Sequence, residues 1–171
     1  PSQEAGGVLG LSTVLHVGMA DLVTAKHPAT LISLGLGSCI GIAIYDEVAK
    51  VAGMAHIMLP ESRGENTPKP GKFADTAVCA LVNELLQMGA SKGRLKAKMA
   101  GGAQMFALGG KGSSILSVGD RNVEATKRAL SSLDIPLVAF DVGGNKGRSV
   151  EFRTDRWILI VKVIGSAVKE L

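Results

Sequence analysis

A cysteine and a histidine stand in the stretch Ser33–Pro60, SLGLGSCIGIAIYDEVAKVAGMAHIMLP, with Cys39 behind a Gly-Leu-Gly-Ser run and His56 seventeen positions further on. The chain has only two cysteines and three histidines, so one of each in a glycine-rich, mostly apolar segment calls for a chemical reading. A thiol attacks as its thiolate, and an imidazole within hydrogen-bonding reach can take the proton. Gly35, Gly37 and Ser38 precede the thiol. A turn flanked by glycine lets backbone N–H groups point at one spot, so those of Ser38 and Cys39 are candidates to bind a developing oxyanion. A third group ordinarily accepts the other imidazole N–H. Ser33 supplies it if the Gly35–Gly37 turn folds it back beside His56.

The elements that must position this pair follow from the same stretch. The runs CIGIAIY and VAGMAHIML read as two strands joined by a turn, DEVAK, centred near Val48. Cys39 lies nine residues before that centre and His56 eight after it, so a hairpin brings them opposite or one step off. Directly opposed residues have Cβ atoms about 4.5–5.5 Å apart. In the register that opposes Cys39 to His56, Gly41 faces Met54 and Ala43 faces Ala52, which leaves a face of small side chains near the pair. Ile40, Ile42 and Ile44 point the other way, into the core. A slip of one residue separates the pair onto opposite faces. Each residue alone has an ordinary explanation, the cysteine as a small core residue and the histidine as a satisfied strand residue. The matched spacing and the glycine context favour chemistry.

The rest of the chain alternates in the same way. Short apolar runs over about Ser12–Thr24 read as strand, Pro28 breaks the chain, and TLISLGLG resumes as strand into a glycine turn. The polar ESRGENTPKPGK is a loop. FADTAVCALVNELLQMGA carries a helical stripe at Ala74, Ala77, Val78, Leu81, Val82 and Leu85, with Gly89 as its stop. RLKAKMA alternates basic and apolar residues, which predicts a half-exposed edge strand guarded by Arg94, Lys96 and Lys98. Asp120 is placed to cap a second helix, NVEATKRALSSL. IPLVAFDVGG is a strand, and SVEFRT and RWILIVKVI form a terminal hairpin. The prediction is one α/β (α+β) domain over residues 1–171, sheet-rich, with mostly antiparallel strands and two main helices packed on the sheets. Residues 1–7 read as a loose tail.

Composition narrows the function. The 171 residues are 46% hydrophobic and 20% charged, as in a folded domain with a real core, and aromatics are only 4%. The 22 glycines are close to double the ordinary ~7% share. Net charge is a mild +4, without the wide basic patch and interleaved aromatics of a nucleic-acid binder. The uncharged run Pro28–Tyr45 is broken by Gly35, Gly37 and Gly41 and fits buried strands better than a membrane span. No secretory leader is visible, and two cysteines in unlike settings do not form a disulfide framework, so a cytoplasmic location is expected. No ligand cluster suggests a metal and no motif suggests a cofactor; GGKGSS lacks the frame of a phosphate loop. Cys79 reads as helix packing, and His16 and His27 as surface or strand residues.

Beyond the pair, the segments SLGLGSCIGIAIYD, GMAHIMLPES, KFADTA, KMAGGAQMF, GDRNVEATKRAL and DVGGNKGRSVEF resemble the CheD family of chemoreceptor glutamine deamidases. The resemblance implies hydrolysis of glutamine side-chain amides on chemoreceptor cytoplasmic domains, giving glutamate and ammonia, without a cofactor. It implies Cys39 as nucleophile, His56 as its histidine and Ser33 as the third active-site position, where the family commonly carries threonine. Gln104 and Asn122 are polar residues of the matched motifs that would line the site. It also implies a CheC-like phosphatase as binding partner. Two rival functions are a non-catalytic adaptor that uses the same surface, and a thiol redox sensor that needs Cys39 but not His56.

Overall fold

The computed structural model describes residues 12–64, 68–105 and 117–171. Ten strands form two five-stranded sheets. The first has the order β1 (Thr13–His16), β3 (Ala29–Leu36), β8 (Arg148–Arg153), β9 (Ile158–Val163) and β10 (Lys169–Glu170). The second has the order β2 (Leu22–Lys26), β5 (Val51–Ile57), β4 (Ile40–Asp46), β6 (Lys96–Gly101) and β7 (Leu137–Val142). The pairs β1–β3 and β6–β7 are parallel and the other strand pairings are antiparallel. Two helices, α1 (Ala74–Gln87) and α2 (Val118–Ser132), complete the expected α+β class.

Alternation along β4 and β5 explains the layering. Ile40, Ile42 and Ile44 with Val51, Ala55 and Ile57 join the apolar stripes of α1 and α2 in one core. Ala43, Tyr45, Ala52 and Met54 join Leu31, Val150, Phe152, Leu159 and Val161 of the other sheet in a second core. The order is therefore sheet, sheet, helices. The face that carries Cys39 is not an open surface of small side chains, as the sequence suggested, because the first sheet covers it. Both central strands are buried on both sides, which accounts for their unbroken apolar sequence. No helix among the described residues is long and apolar enough to cross a membrane.

Four local expectations change. The Ser12–Thr24 run is two strands in different sheets, parted by a turn with Ala20 at φ 66°. The strand β6 is not an edge strand but lies between β4 and β7. Its lysines and the preceding arginine are engaged: Arg94 pairs with Asp46 at 3.1 Å, Lys96 with Glu47 at 3.5 Å, and Lys98 donates to the carbonyls of Trp157 and Leu171, both at 2.8 Å. The cap of α2 is Ser117, whose hydroxyl oxygen accepts from Asp120 N–H while Asp120 accepts the hydroxyl in return. Cys79 is exposed on the outer face of α1 rather than packed. The stop of α1 at Gly89, with φ 102°, is as expected. Asp46 fastens the β4–β5 turn: burial alone would raise its carboxyl, but Arg94 and the N–H groups of Ala49, Ser91 and Val48 hold it at about 2. The tail and the GGKGSS segment lie outside the described residues.

Candidate active site

The hairpin arithmetic is right about the face and two residues out in register. Gly41, not Cys39, stands opposite His56, and Ala43 faces Met54. A displacement by an even number keeps the face, so Cys39, just before β4, shares the inner side of the sheet with His56 and packs partly against the inter-sheet core. One step beyond the Ile40–Ile57 pair, it lies diagonally from His56, and no hydrogen bond joins the two side chains.

His56 is 1% exposed and its backbone is clamped: its N–H donates to Asp21 O and its carbonyl accepts from Ala20 N–H, both at 3.0 Å. The turn that the sequence hid between β1 and β2 thus holds the histidine strand. Ser33, also 1% exposed, reaches the ring from the opposite sheet. It does so because Leu31 and Ser33 alternate inward along β3, not because Gly35 turns the chain back; Gly35, at φ 68°, sits in an irregularity of the β3–β8 ladder between Ser33 and Leu36.

The hydrogen bonds fix the tautomer. The Ser33 hydroxyl donates to the carbonyl of Val17 at 2.9 Å. Its proton being committed, the Ser33 oxygen can only accept at the 2.8 Å contact with His56 Nδ1, so Nδ1 carries the hydrogen. His56 Nε2 then bears the lone pair, and it has no hydrogen-bond partner within the protein. Burial pushes the Cys39 thiol up and the His56 imidazole down; Val17 and Asp21 act upward on the imidazole without reversing it. Both shifts favour the uncharged forms, a thiol at Cys39 and an Nε2-basic imidazole at His56. Substituting Ser33 by alanine removes the acceptor for Nδ1–H. Turnover is expected to fall about 5- to 160-fold, the rate equivalent of ~1–3 kcal/mol for a buried polar atom left unmet, with threonine restoring it. Steady-state kinetics of the two variants checks this.

Three consecutive carbonyls before β4 are pinned. Gly37 O accepts from Ala103 N–H at 2.9 Å, Ser38 O from Asn122 Nδ2 at 2.8 Å, and Cys39 O from Gly102 N–H at 2.9 Å. In a trans peptide the N–H points opposite to its carbonyl, so the directions of Ser38 N–H and Cys39 N–H are set by these bonds. Neither N–H meets a carbonyl outside the β-ladders among the described residues. Gly37 lies against Met105, and Gln104 in the same segment is exposed, its N–H bonded to Gly144 O at 2.8 Å. Asn122 is fully buried, with its side-chain donors turned to the main chain. Val17 acts through its carbonyl alone, which no side-chain pattern marks. The close packing of Gly101 against Cys39 O was signalled only by a glycine pair ending an apolar strand. No group of three or more metal-ligating side chains occurs among the described residues.

The two-sheet α+β domain thus carries a partly buried thiol and a serine-held imidazole on one face of its second sheet. The chain belongs to the CheD family. A family model described as CheD chemotactic sensory transduction matches residues 58–163. A protein of Desulfitobacterium hafniense named probable chemoreceptor glutamine deamidase CheD is 51% identical over 159 residues, 93% of this chain and 99% of its own. The chemoreceptor glutamine deamidase CheD of Halalkalibacterium halodurans is 46% identical over 163 residues, 94% of this chain and 100% of its own. Among solved structures, a Neisseria meningitidis protein of the DUF152 family superposes with a TM-score of 0.46 at 10% identity, covering 84% of this chain and 67% of that one.

Proposed function

We propose that this protein is a protein-glutamine glutaminase that deamidates glutamine side chains on the cytoplasmic domains of chemoreceptors. The observation that carries the reading is the bond from His56 Nδ1–H to Ser33, which leaves Nε2 basic on the face shared with Cys39. The names of the full-length relatives supply the substrate class.

The chemistry follows from those groups. As Cys39 sulfur attacks the glutamine Cδ, its proton passes to His56 Nε2, so the thiolate arises in the step itself despite a thiol held high by burial. The carbonyl oxygen becomes an oxyanion, met by Ser38 and Cys39 N–H. The imidazolium returns the proton to the amide nitrogen, the C–N bond breaks and ammonia leaves, with a thioester on Cys39. Water then gives a proton to His56 Nε2 and adds to the thioester; expulsion of the reprotonated thiol releases glutamate. Ser33 and Val17 hold the ring in one tautomer throughout. Incubation with a receptor cytoplasmic fragment is expected to add about one dalton per modified glutamine and to release ammonia in equal number. A cytoplasmic location fits action on that part of a receptor. Family membership further supports a CheC-like phosphatase as a binding partner.

A further inference from the structure

Asn122 sits in the first turns of α2, is fully buried, and spends both of its side-chain hydrogens on the main chain: Nδ2 donates to Ser38 O at 2.8 Å and to Met58 O at 3.0 Å. Two carbonyls can only accept, so the amide orientation is fixed by chemistry. The first acceptor immediately precedes Cys39 and the second follows His56 by two residues. One side chain therefore ties together the two segments that carry the reacting pair. Its other end brings no gain: Oδ1 is buried without a hydrogen-bond partner in the protein, a cost that an apolar residue of similar size would not incur. A local rule broken in this way points to a role other than packing.

The position of the first bond says what that role is. Ser38 carbonyl and Cys39 N–H belong to one trans peptide, so holding the oxygen toward Asn122 turns the N–H the opposite way. The neighbouring Gly37 and Cys39 carbonyls are held by backbone N–H groups; Ser38 O is the one of the three held by a side chain.

We propose that Asn122 is a positioning residue for the reaction: acting through the Ser38 carbonyl, and without touching substrate, it aims Cys39 N–H at the developing oxyanion. This rests on the deamidase reading above. The test is Asn122→Ala and Asn122→Ser in the full chain, with three readouts: kcat and KM on a receptor cytoplasmic fragment, alkylation of Cys39 by iodoacetamide across pH, and the thermal midpoint. Alkylation needs the thiol and imidazole but forms no oxyanion. Asn122→Ala is expected to lower kcat roughly 100- to 1,000-fold, as for loss of an oxyanion donor. KM and the alkylation rate and its pH profile should stay within about threefold. Asn122→Ser, which keeps one donor, should fall between Asn122→Ala and wild type. Unchanged kcat, or an equal loss in kcat and alkylation, overturns the proposal. So does failure of both variants to fold, since Asn122 then serves the fold alone. If wild-type protein itself produces no deamidation while Cys39 alkylates normally, the deamidase reading fails, and this inference with it; an active wild type beside an equally active Asn122→Ala refutes only the inference.

Discussion

Replacing His56 by glutamine is expected to reduce deamidation by roughly 10³- to 10⁴-fold, the upper part of the range for loss of a positioned general acid–base. Glutamine is close to histidine in volume and its amide can still donate to Ser33, so the fold is expected to persist. What it lacks is a basic atom where Nε2 stands. The pH profile separates this from damage to the site. In the wild type, activity requires Nε2 unprotonated, and burial lowers the imidazole, so the acid limb should fall below the ordinary histidine range of about 6.5. In the glutamine variant that limb should vanish. The residual rate should instead climb with thiol ionisation, above the ordinary thiol range of about 8.5 because burial raises Cys39. The stability sign is fixed by the same shift. With the folded pKa lower than the unfolded one, the unfolded chain binds the proton first as pH drops. His56 therefore contributes stability that is present above about 6.5 and is lost as pH falls from there through the folded value. Rate–pH profiles and thermal midpoints for the two proteins check both statements. A glutamine variant that keeps the wild-type acid limb would mean that another group is the base.

Gly101→Ala should be the most damaging of the small substitutions near the site. Gly101 has φ 118°, and a Cβ built there overlaps the carbonyl oxygen of Cys39. The obstruction is backbone, not a flexible side-chain tip, so relief requires β4 to move away from β6 just where Cys39 enters the strand. A cost above about 2 kcal/mol is expected, which for a domain of this size lowers the thermal midpoint by roughly 5–10 °C. Turnover of the surviving folded protein should fall as well, because the displaced carbonyl is one of the three that fix the nucleophile. Gly89→Ala is the control. Gly89 also has positive φ, 102°, but nothing lies within 4 Å of the added Cβ. It should show backbone strain alone, about 1 kcal/mol, with unchanged kcat. Equal midpoints for the two variants would mean that the contact between Gly101 and Cys39 is not tight.

Most of the strands and both helices were legible because their patterns are local. The alternation of Ile40, Ile42 and Ile44 and the three-and-four spacing from Ala74 to Leu85 depend on nothing outside their own segments. What the sequence did not reveal is what two distant segments do to each other. The covered face of β4 and β5 follows from the first sheet packing over it, and that sheet joins strands from both ends of the chain. The burial of β6 between neighbours likewise depends on β7, so its lysines read as edge guards until Trp157 and Leu171 arrive to accept from Lys98. At the site, the shared face of Cys39 and His56 was readable from parity alone, whereas the register was not, because the arithmetic could not see that Cys39 lies just outside the strand. Ser33 was expected beside His56 for the wrong geometric reason. Its contact with His56 crosses between sheets, and its proton is committed by a carbonyl of Val17 that no side-chain pattern marks. Asn122 was visible as a polar residue in a matched motif, but its use of both hydrogens on the main chain is a property of the folded site.

Everything proposed for this protein comes down to sulfur chemistry at Cys39 acting on a glutamine of another protein. The intact mass of a receptor cytoplasmic fragment, recorded after incubation with wild-type protein and with Cys39→Ala, tests that most directly. The wild type should shift the fragment upward by about one dalton per modified site and the alanine variant should leave it unchanged. A fragment left unchanged by the wild type, or shifted equally by both proteins, would contradict the account.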